Sequence, residues 1–164
     1  MFRLRGCSAN WIQRGNELAA ALSAHDVTPG PIGLIHGDYQ PGNVLFENGK
    51  MTGIIDWDLA CLGPQNLDVG WLMMMADKAC WHPDWAPRIN WSRKEVLEYY
   101  QSARGHVIQD ADWFQALACF RMMSISCLNI KLHRSGRRHD PVWEKFATCI
   151  APLLDRGFAL LGRL

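Results

Sequence analysis

The stretch LIHGDYQPGNVLF, Leu34 to Phe46, decides how this chain is read. Two short apolar runs close on a polar segment that carries His36, Asp38 and Asn43 among Gly37, Pro41 and Gly42. Residues 32–35 predict a short buried strand. Residues 44–46, the Asn48-Gly49 pair and residues 51–55 predict a β-hairpin, because Asn-Gly readily adopts the positive φ angles of a two-residue turn. The hairpin ends in IIDWD, which supplies Asp56 and Asp58. Asp38, Asn43 and Asp56 each follow or border a strand, so their side chains are expected to meet at one edge.

Those residue types suit a particular chemistry. Magnesium takes oxygen ligands in octahedral geometry, usually one or two carboxylates plus phosphate oxygens. Asn43 and Asp56 offer that kind of oxygen. Asp38 suits a second task, accepting or orienting the proton of an attacking hydroxyl. Taken singly, each is ordinary turn chemistry, since Asp, Asn and Gly fill loops for conformational reasons. Three such residues at fixed spacing, each beside a strand, point instead to a site.

The spacing H-x-D-x-x-x-x-N, a hairpin and then Asp is the arrangement of a kinase catalytic loop, here without the Arg after His and without the Phe-Gly after Asp. In this form, HGDYQPGN with IIDWD, it resembles the aminoglycoside and choline phosphotransferase families. The likeness runs on through DLACLGPQNLDVGWL, Asp58 to Leu72. The stretch ALACFRMMSISCLNIKLHRSGRRHD, Ala116 to Asp140, is similar to the branch associated with acyl-CoA dehydrogenases. The resemblance covers roughly residues 30–160 and implies a role for each matching position. Asp38 would be the catalytic base. Asn43 and Asp56 would hold magnesium on the phosphates of ATP, with Asp58 assisting at the metal. His36 would brace the loop near Asp56, and Asp68 would hydrogen-bond the loop backbone from the next helix.

A kinase-like enzyme also uses an N-terminal lobe, with a glycine-rich hairpin over the phosphates and a strand lysine on them. No G-x-G-x-x-G occurs in these 164 residues, and Lys50 is the first lysine. The expected fold class is therefore mainly α with a small β-hairpin element, an α+β C-terminal lobe of a protein-kinase-like fold with the N-terminal lobe absent. Residues 1–164 are read as a single domain, with the catalytic loop and metal hairpin at 32–58 and a helical substrate subdomain at 66–162. Such a lobe is expected to be weak or inactive alone. Its uncovered apolar face predicts a homo-oligomer or a separate N-lobe partner. Two other readings stay open: a non-catalytic remnant or binding module of the same fold, and a metal-dependent hydrolase built on His36, Asp38, Asp56 and Asp58.

Composition narrows the classes. The chain is 49% hydrophobic with eight Trp, which is ample for a core. The net charge of +1 and the absence of a basic stripe interleaved with aromatics give no sign of nucleic acid. No apolar run reaches membrane-spanning length and the first residues lack a signal-peptide core, so a soluble cytoplasmic protein is expected. Six cysteines, at 7, 61, 80, 119, 127 and 149, form no C-x-x-C pair and are expected to be buried free thiols. After Asp58 there are ten acidic and thirteen basic residues, so no acidic bias favours a polycationic acceptor over a hydroxyacyl one. The local basic run 131–139 reads either as cations at a helix C-terminus or as a contact for an anionic acceptor.

Helical patterning dominates the rest. Residues 8–24 predict a helix capped by Ser8, and TPGP at 28–31 ends it. From residue 66 helix is expected almost throughout. Ser92 to Glu95 matches a capping box, with Gly105 at the stop. Asp110 should open a long helix to about Arg134, and Asp140-Pro141 should start a last one that Pro152 kinks. The run Met73 to Met75 and the Trp-bearing helices are expected in the core.

Overall fold

The structure is a computed structural model that describes residues 8–87 and 89–162; Cys7 lies outside them. Helix α1 (Ala9–Ser23) starts where expected, with Ser8 Oγ accepting from the N–H of Trp11 at 3.2 Å. It buries Gly15, Leu18 and Leu22. Strand β1 (Ile32–Ile35), the hairpin of β2 (Val44–Glu47) and β3 (Lys50–Ile54), and β4 (Cys61–Pro64) follow. Helices α2 (Asn66–Ala76), α3 (Arg93–Arg104), α4 (Ala111–Arg134), α5 (Val142–Ala147) and α6 (Ile150–Leu161) complete the chain. The protein is thus mostly helical with two small antiparallel sheets.

Helix α4 is the axis of the core. It packs on α2 and α6, and α1 lies against α6 and α4. Met74, Cys119, Ile130, Ile150 and Leu154 are fully buried there. Gly70 lets α2 lie against the α4 backbone, since a Cβ on it would fall 2.5 Å from the Phe114 carbonyl oxygen. The methionine run is core as expected, with all three side chains buried.

Several expectations need correcting. Residues 32–35 form a strand, but only Ile35 is buried, while Ile32 and Leu34 are 67% and 58% exposed. The reason is β4, which has no period-2 signal and was not expected. It pairs antiparallel with β1, Leu34 opposite Leu62, in a sheet of only two strands. Helix does not continue from residue 77 to 92. Asp77 caps a short 3₁₀ turn, Lys78–Cys80, and Pro83 and Pro87 deny the next segment two backbone donors. Asp110 does open α4 as expected, standing at the N-cap position without a side-chain hydrogen bond to the helix. Its residue is left-handed (φ 57°) and its carboxylate accepts from the Thr28 N–H at 3.0 Å.

The last helix is two helices. Pro152 has no N–H for the Thr148 carbonyl, so the chain breaks at residues 148–149 rather than bending at the proline. Asp140 caps the first part, accepting from the Val142 N–H and the Trp143 indole N–H. Among the cysteines, 80, 119, 127 and 149 are buried as expected, but Cys61 on β4 is exposed. No helix among the described residues is long and apolar enough to cross a membrane.

Candidate active site

The segment from His36 to Asn43 leaves β1 as a loop and ends in a 3₁₀ turn, Pro41–Asn43, that delivers the chain into β2. Its shape is held from outside by Asp68 in the first turn of α2. One carboxylate oxygen accepts the His36 N–H at 2.7 Å and the other accepts the Gly37 N–H at 2.9 Å. Gly37 sits at φ 82°, and a Cβ there would meet the Leu59 carbonyl oxygen at 2.6 Å. Only glycine suits that position.

His36 is buried and ties the loop to the end of β3. Its Nε2 lies 2.8 Å from the Ile55 carbonyl, which can only accept, so Nε2 carries the proton. Its Nδ1 then accepts from the Asp38 N–H at 3.2 Å. The Trp57 ring packs on the imidazole at 4.7 Å between centroids.

Asn43 fixes Asp38. Its Nδ2 donates to the Asp38 carbonyl at 2.9 Å and to Asp38 Oδ2 at 3.1 Å. Both partners are pure acceptors, which settles the orientation of the amide and leaves its Oδ1 unspent. Gln40 Nε2 donates to the same Asp38 Oδ2 at 3.0 Å. One Asp38 oxygen is therefore held by two donors, while Oδ1 makes no hydrogen bond within the described residues.

Asp56 comes to this cluster through its neighbour. The Ile55 N–H donates to the Asn43 carbonyl at 2.9 Å, and the Ile55 carbonyl is the one His36 binds. Asp56 itself is left-handed (φ 65°) and exposed, with no protein partner for its carboxylate among the described residues. Asp58 lies in the next turn, exposed, and the structure ties it to none of the others. Among the described residues no three His, Cys, Asp or Glu side chains converge as a metal site. The available donors, the Asn43 amide oxygen and the Asp56 carboxylate, are hard oxygens of the kind magnesium takes when phosphate supplies the rest.

Two supporting residues lay outside the sequence expectations. Gln40 sits inside the quoted motif and could have been noticed as a second donor to Asp38. Arg121 could not, because it reaches in from the middle of α4. Its Nη2 donates to the Gly37 carbonyl at 3.0 Å, and its guanidinium lies over the Trp71 ring at 5.0 Å.

A polar loop braced by a helix-borne aspartate, followed by a hairpin that ends in an aspartate, is the core of a kinase-like phosphotransferase fold. The chain belongs to the phosphotransferase enzyme family, whose model matches residues 7–117. It is 29% identical over 139 residues to hygromycin-B 4-O-kinase of Escherichia coli, covering 76% of this chain and 40% of that protein. It is 33% identical over 118 residues to an Arabidopsis thaliana protein named as an acyl-CoA dehydrogenase, IBR3, covering 63% of this chain and 14% of that one. A solved structure from Ralstonia eutropha, assigned to the aminoglycoside phosphotransferases, superposes with a TM-score of 0.78 at 18% identity. That superposition covers 98% of this chain and 51% of the other. The chain thus spans about half or less of the length of these relatives.

Proposed function

We propose that this chain carries the catalytic half of an ATP- and magnesium-dependent phosphotransferase acting on a hydroxyl of a small molecule. The observation that carries the reading is the division of labour between Asn43 and Asp38. The Asn43 amide nitrogen is spent on Asp38, so its oxygen is left for a cation. Asp38 is held by one oxygen, so the other is left for a hydroxyl proton.

In this reading Asp38 accepts the proton of the acceptor hydroxyl as that oxygen attacks, or orients it beforehand. Asn43 and Asp56 hold magnesium, with Asp58 close enough in sequence to assist. The ion, when bound, neutralises charge on the phosphates. His36 is a positioning residue, since both ring nitrogens are spent on the backbone of the loop and of the hairpin end. Asp68 and Arg121 set the loop from below, one on its N–H groups and the other on its Gly37 carbonyl. The acceptor hydroxyl belongs to either an aminoglycoside-like or a hydroxyacyl compound.

The glycine-rich hairpin and the strand lysine of kinases do not occur in these 164 residues. Phosphoryl transfer rests mostly on positioning and electrostatics, so these residues alone should bind nucleotide weakly and turn over slowly or not at all. The β1–β4 ladder exposes Ile32, Leu34 and Leu62, and the hairpin exposes Leu45, Phe46 and Met51. Patches of that kind are usually covered. A nucleotide-clamping lobe, from residues beyond these or from a partner, fits a chain that spans half its structural relative. Light scattering of the 164-residue chain tests the rival occupant: a dimer would mean that a second copy covers the face.

Calorimetric titration with ATP and ADP, with and without magnesium, tests the site itself. Magnesium-dependent binding that disappears in Asp56→Ala is expected. No binding at millimolar nucleotide, even when a nucleotide-clamping half is supplied, would leave the second reading, a folded but non-catalytic binding module.

A further inference from the structure

Beside the loop lies a cavity of about 530 Å³, bounded by Asp38 and Gln40 on one side and by α2, α4 and α5 on the other. From the size and the walls of this cavity we infer that the acceptor is an alcohol with an apolar body, not a polycation. The inference rests on the phosphotransferase reading above, because it takes the Asp38 end of the cavity as the reacting end.

The volume is that of a small-molecule site. Its walls are tryptophan and phenylalanine: Trp71, Trp81, Trp85, Trp143 and Phe146, backed by Ile125. The aromatic groups hold one another in place. The Phe146 ring lies 4.0 Å from Trp85 and 4.9 Å from Trp143 between centroids, and Trp85 lies 6.2 Å from Trp81. Two of the indoles have already used their N–H groups. Trp81 donates to the Met74 carbonyl at 3.1 Å and Trp143 to Asp140 Oδ2 at 3.1 Å. What they retain for a ligand is ring carbon.

Charge decides against the alternative acceptor. Among the described residues lining the cavity, Asp38 is the only ionisable one. A polycationic aminoglycoside would bring several ammonium groups to a wall with one carboxylate, and that carboxylate is reserved for the hydroxyl. The indole faces can hold one ammonium by cation–π attraction, but the further ammonium groups of a polycation would be desolvated unpaired, which is strongly unfavourable. The guanidinium of Arg121, stacked on Trp71 and bound to the Gly37 carbonyl, adds a positive charge behind the same wall. An apolar body instead gains from burial against the rings. The chain therefore parts from its hygromycin-kinase relative in what it accepts, while sharing the loop that does the chemistry.

The test reads binding without nucleotide, so it stands apart from the calorimetry above. Tryptophan fluorescence and ligand-observed NMR follow titration of the 164-residue chain with 3-phenylpropan-1-ol, 1-octanol, hygromycin B and kanamycin. Saturable binding of the alcohols is expected, weakened at least tenfold by Ile125→Asn and by Phe146→Ser and retained in Phe146→Leu. Phe146 stands on a short helix with no buried residue, and far-UV circular dichroism checks that each variant is folded. Aminoglycosides binding more tightly than the alcohols, or alcohol binding untouched by both disruptive variants, would overturn the inference. Alcohol binding without any magnesium-dependent nucleotide binding, even with the clamping half supplied, would uphold the cavity's preference and sink the phosphotransferase reading instead.

Discussion

Removing the carboxylate of Asp68 should cost this protein about 3 kcal/mol, roughly two charge-assisted hydrogen bonds at the lower end of their range. Both Asp68 oxygens accept backbone N–H groups, from His36 at 2.7 Å and Gly37 at 2.9 Å. His36 is only 3% exposed, so its N–H has little access to water once the carboxylate is gone. A hydrogen bond to a charged group contributes about 1.5–3 kcal/mol, and two lost together would approach about 6 kcal/mol if water offered nothing. Asp68 itself is half-buried, so water recovers part of that in Asp68→Ala. Asp68→Asn keeps one carbonyl oxygen and turns an NH₂ toward the other donor, so about half the loss is expected. Urea unfolding followed by tryptophan fluorescence gives the number directly. With a slope of about 2 kcal/mol per molar for a domain of this size, the midpoint should fall by about 1.5 M in Asp68→Ala. A loss below about 1 kcal/mol would mean that the two hydrogen bonds do not brace the loop. An Asn variant as damaged as the Ala variant would mean that the charge, not the pair of acceptors, is what matters.

Asp77→Ala should cost about 3–5 kcal/mol, the range for breaking one side of a buried ion pair. It would strand Arg156 at 2.7 Å and the fully buried Gln115 at 2.8 Å, and differential scanning calorimetry would read the fall in Tm. Gly70→Ala should cost about 1–3 kcal/mol by forcing α2 off α4, measured by chemical denaturation. Gly37→Ala should abolish magnesium-dependent nucleotide binding through the loop, with Leu59 in the way of the new methyl. Glu95 is held below the usual carboxylate range by the Ser92 hydroxyl and backbone N–H. A lowered folded-state value stabilises above the unfolded value and is lost as pH falls through the folded one. The stability gap between wild type and Glu95→Gln should therefore be full at pH 6 and close as the pH drops below about 4, the range in which a free Glu titrates.

Much of this fold can be read in the residues themselves where local chemistry decides. Ser8, the Ser92-Glu95 box, Gly105 and Asn48-Gly49 act within a few residues of their own position, and each element they mark is present. The quoted loop was legible for the same reason, whereas the brace from Asp68, some thirty residues away, was implied only by the family resemblance. What could not be read depends on partners distant in the chain. Strand β4 owes its existence to β1, not to its own CLGP. The exposure of Leu34 and Cys61 follows from a ladder that stops at two strands. Asp110 opens α4 as its position suggests, but the sequence does not show that its carboxylate serves the distant Thr28 N–H. Arg121 is an unremarkable basic residue on a long helix until the helix is laid under the loop. Asp56 and Asp58 are alike in sequence, and only Asp56 directly follows a residue, Ile55, whose backbone is hydrogen-bonded to Asn43 and His36.

The break that Pro152 makes has an evolutionary consequence. It detaches six residues, Val142 to Ala147, from the helix that carries the core, and not one of them is buried. They are held by Asp140 at one end and by the Arg134–Glu144 pair along the side. Two of the cavity's aromatic rings ride on this short piece. Its Trp143, Phe146 and Ala147 pack on the core from outside, so its substitutions bear on the cavity wall without touching a fully buried side chain of its own. Under the proposed function, a lineage could change its acceptor by altering this one short segment, while the loop proposed to handle the phosphate is inherited intact.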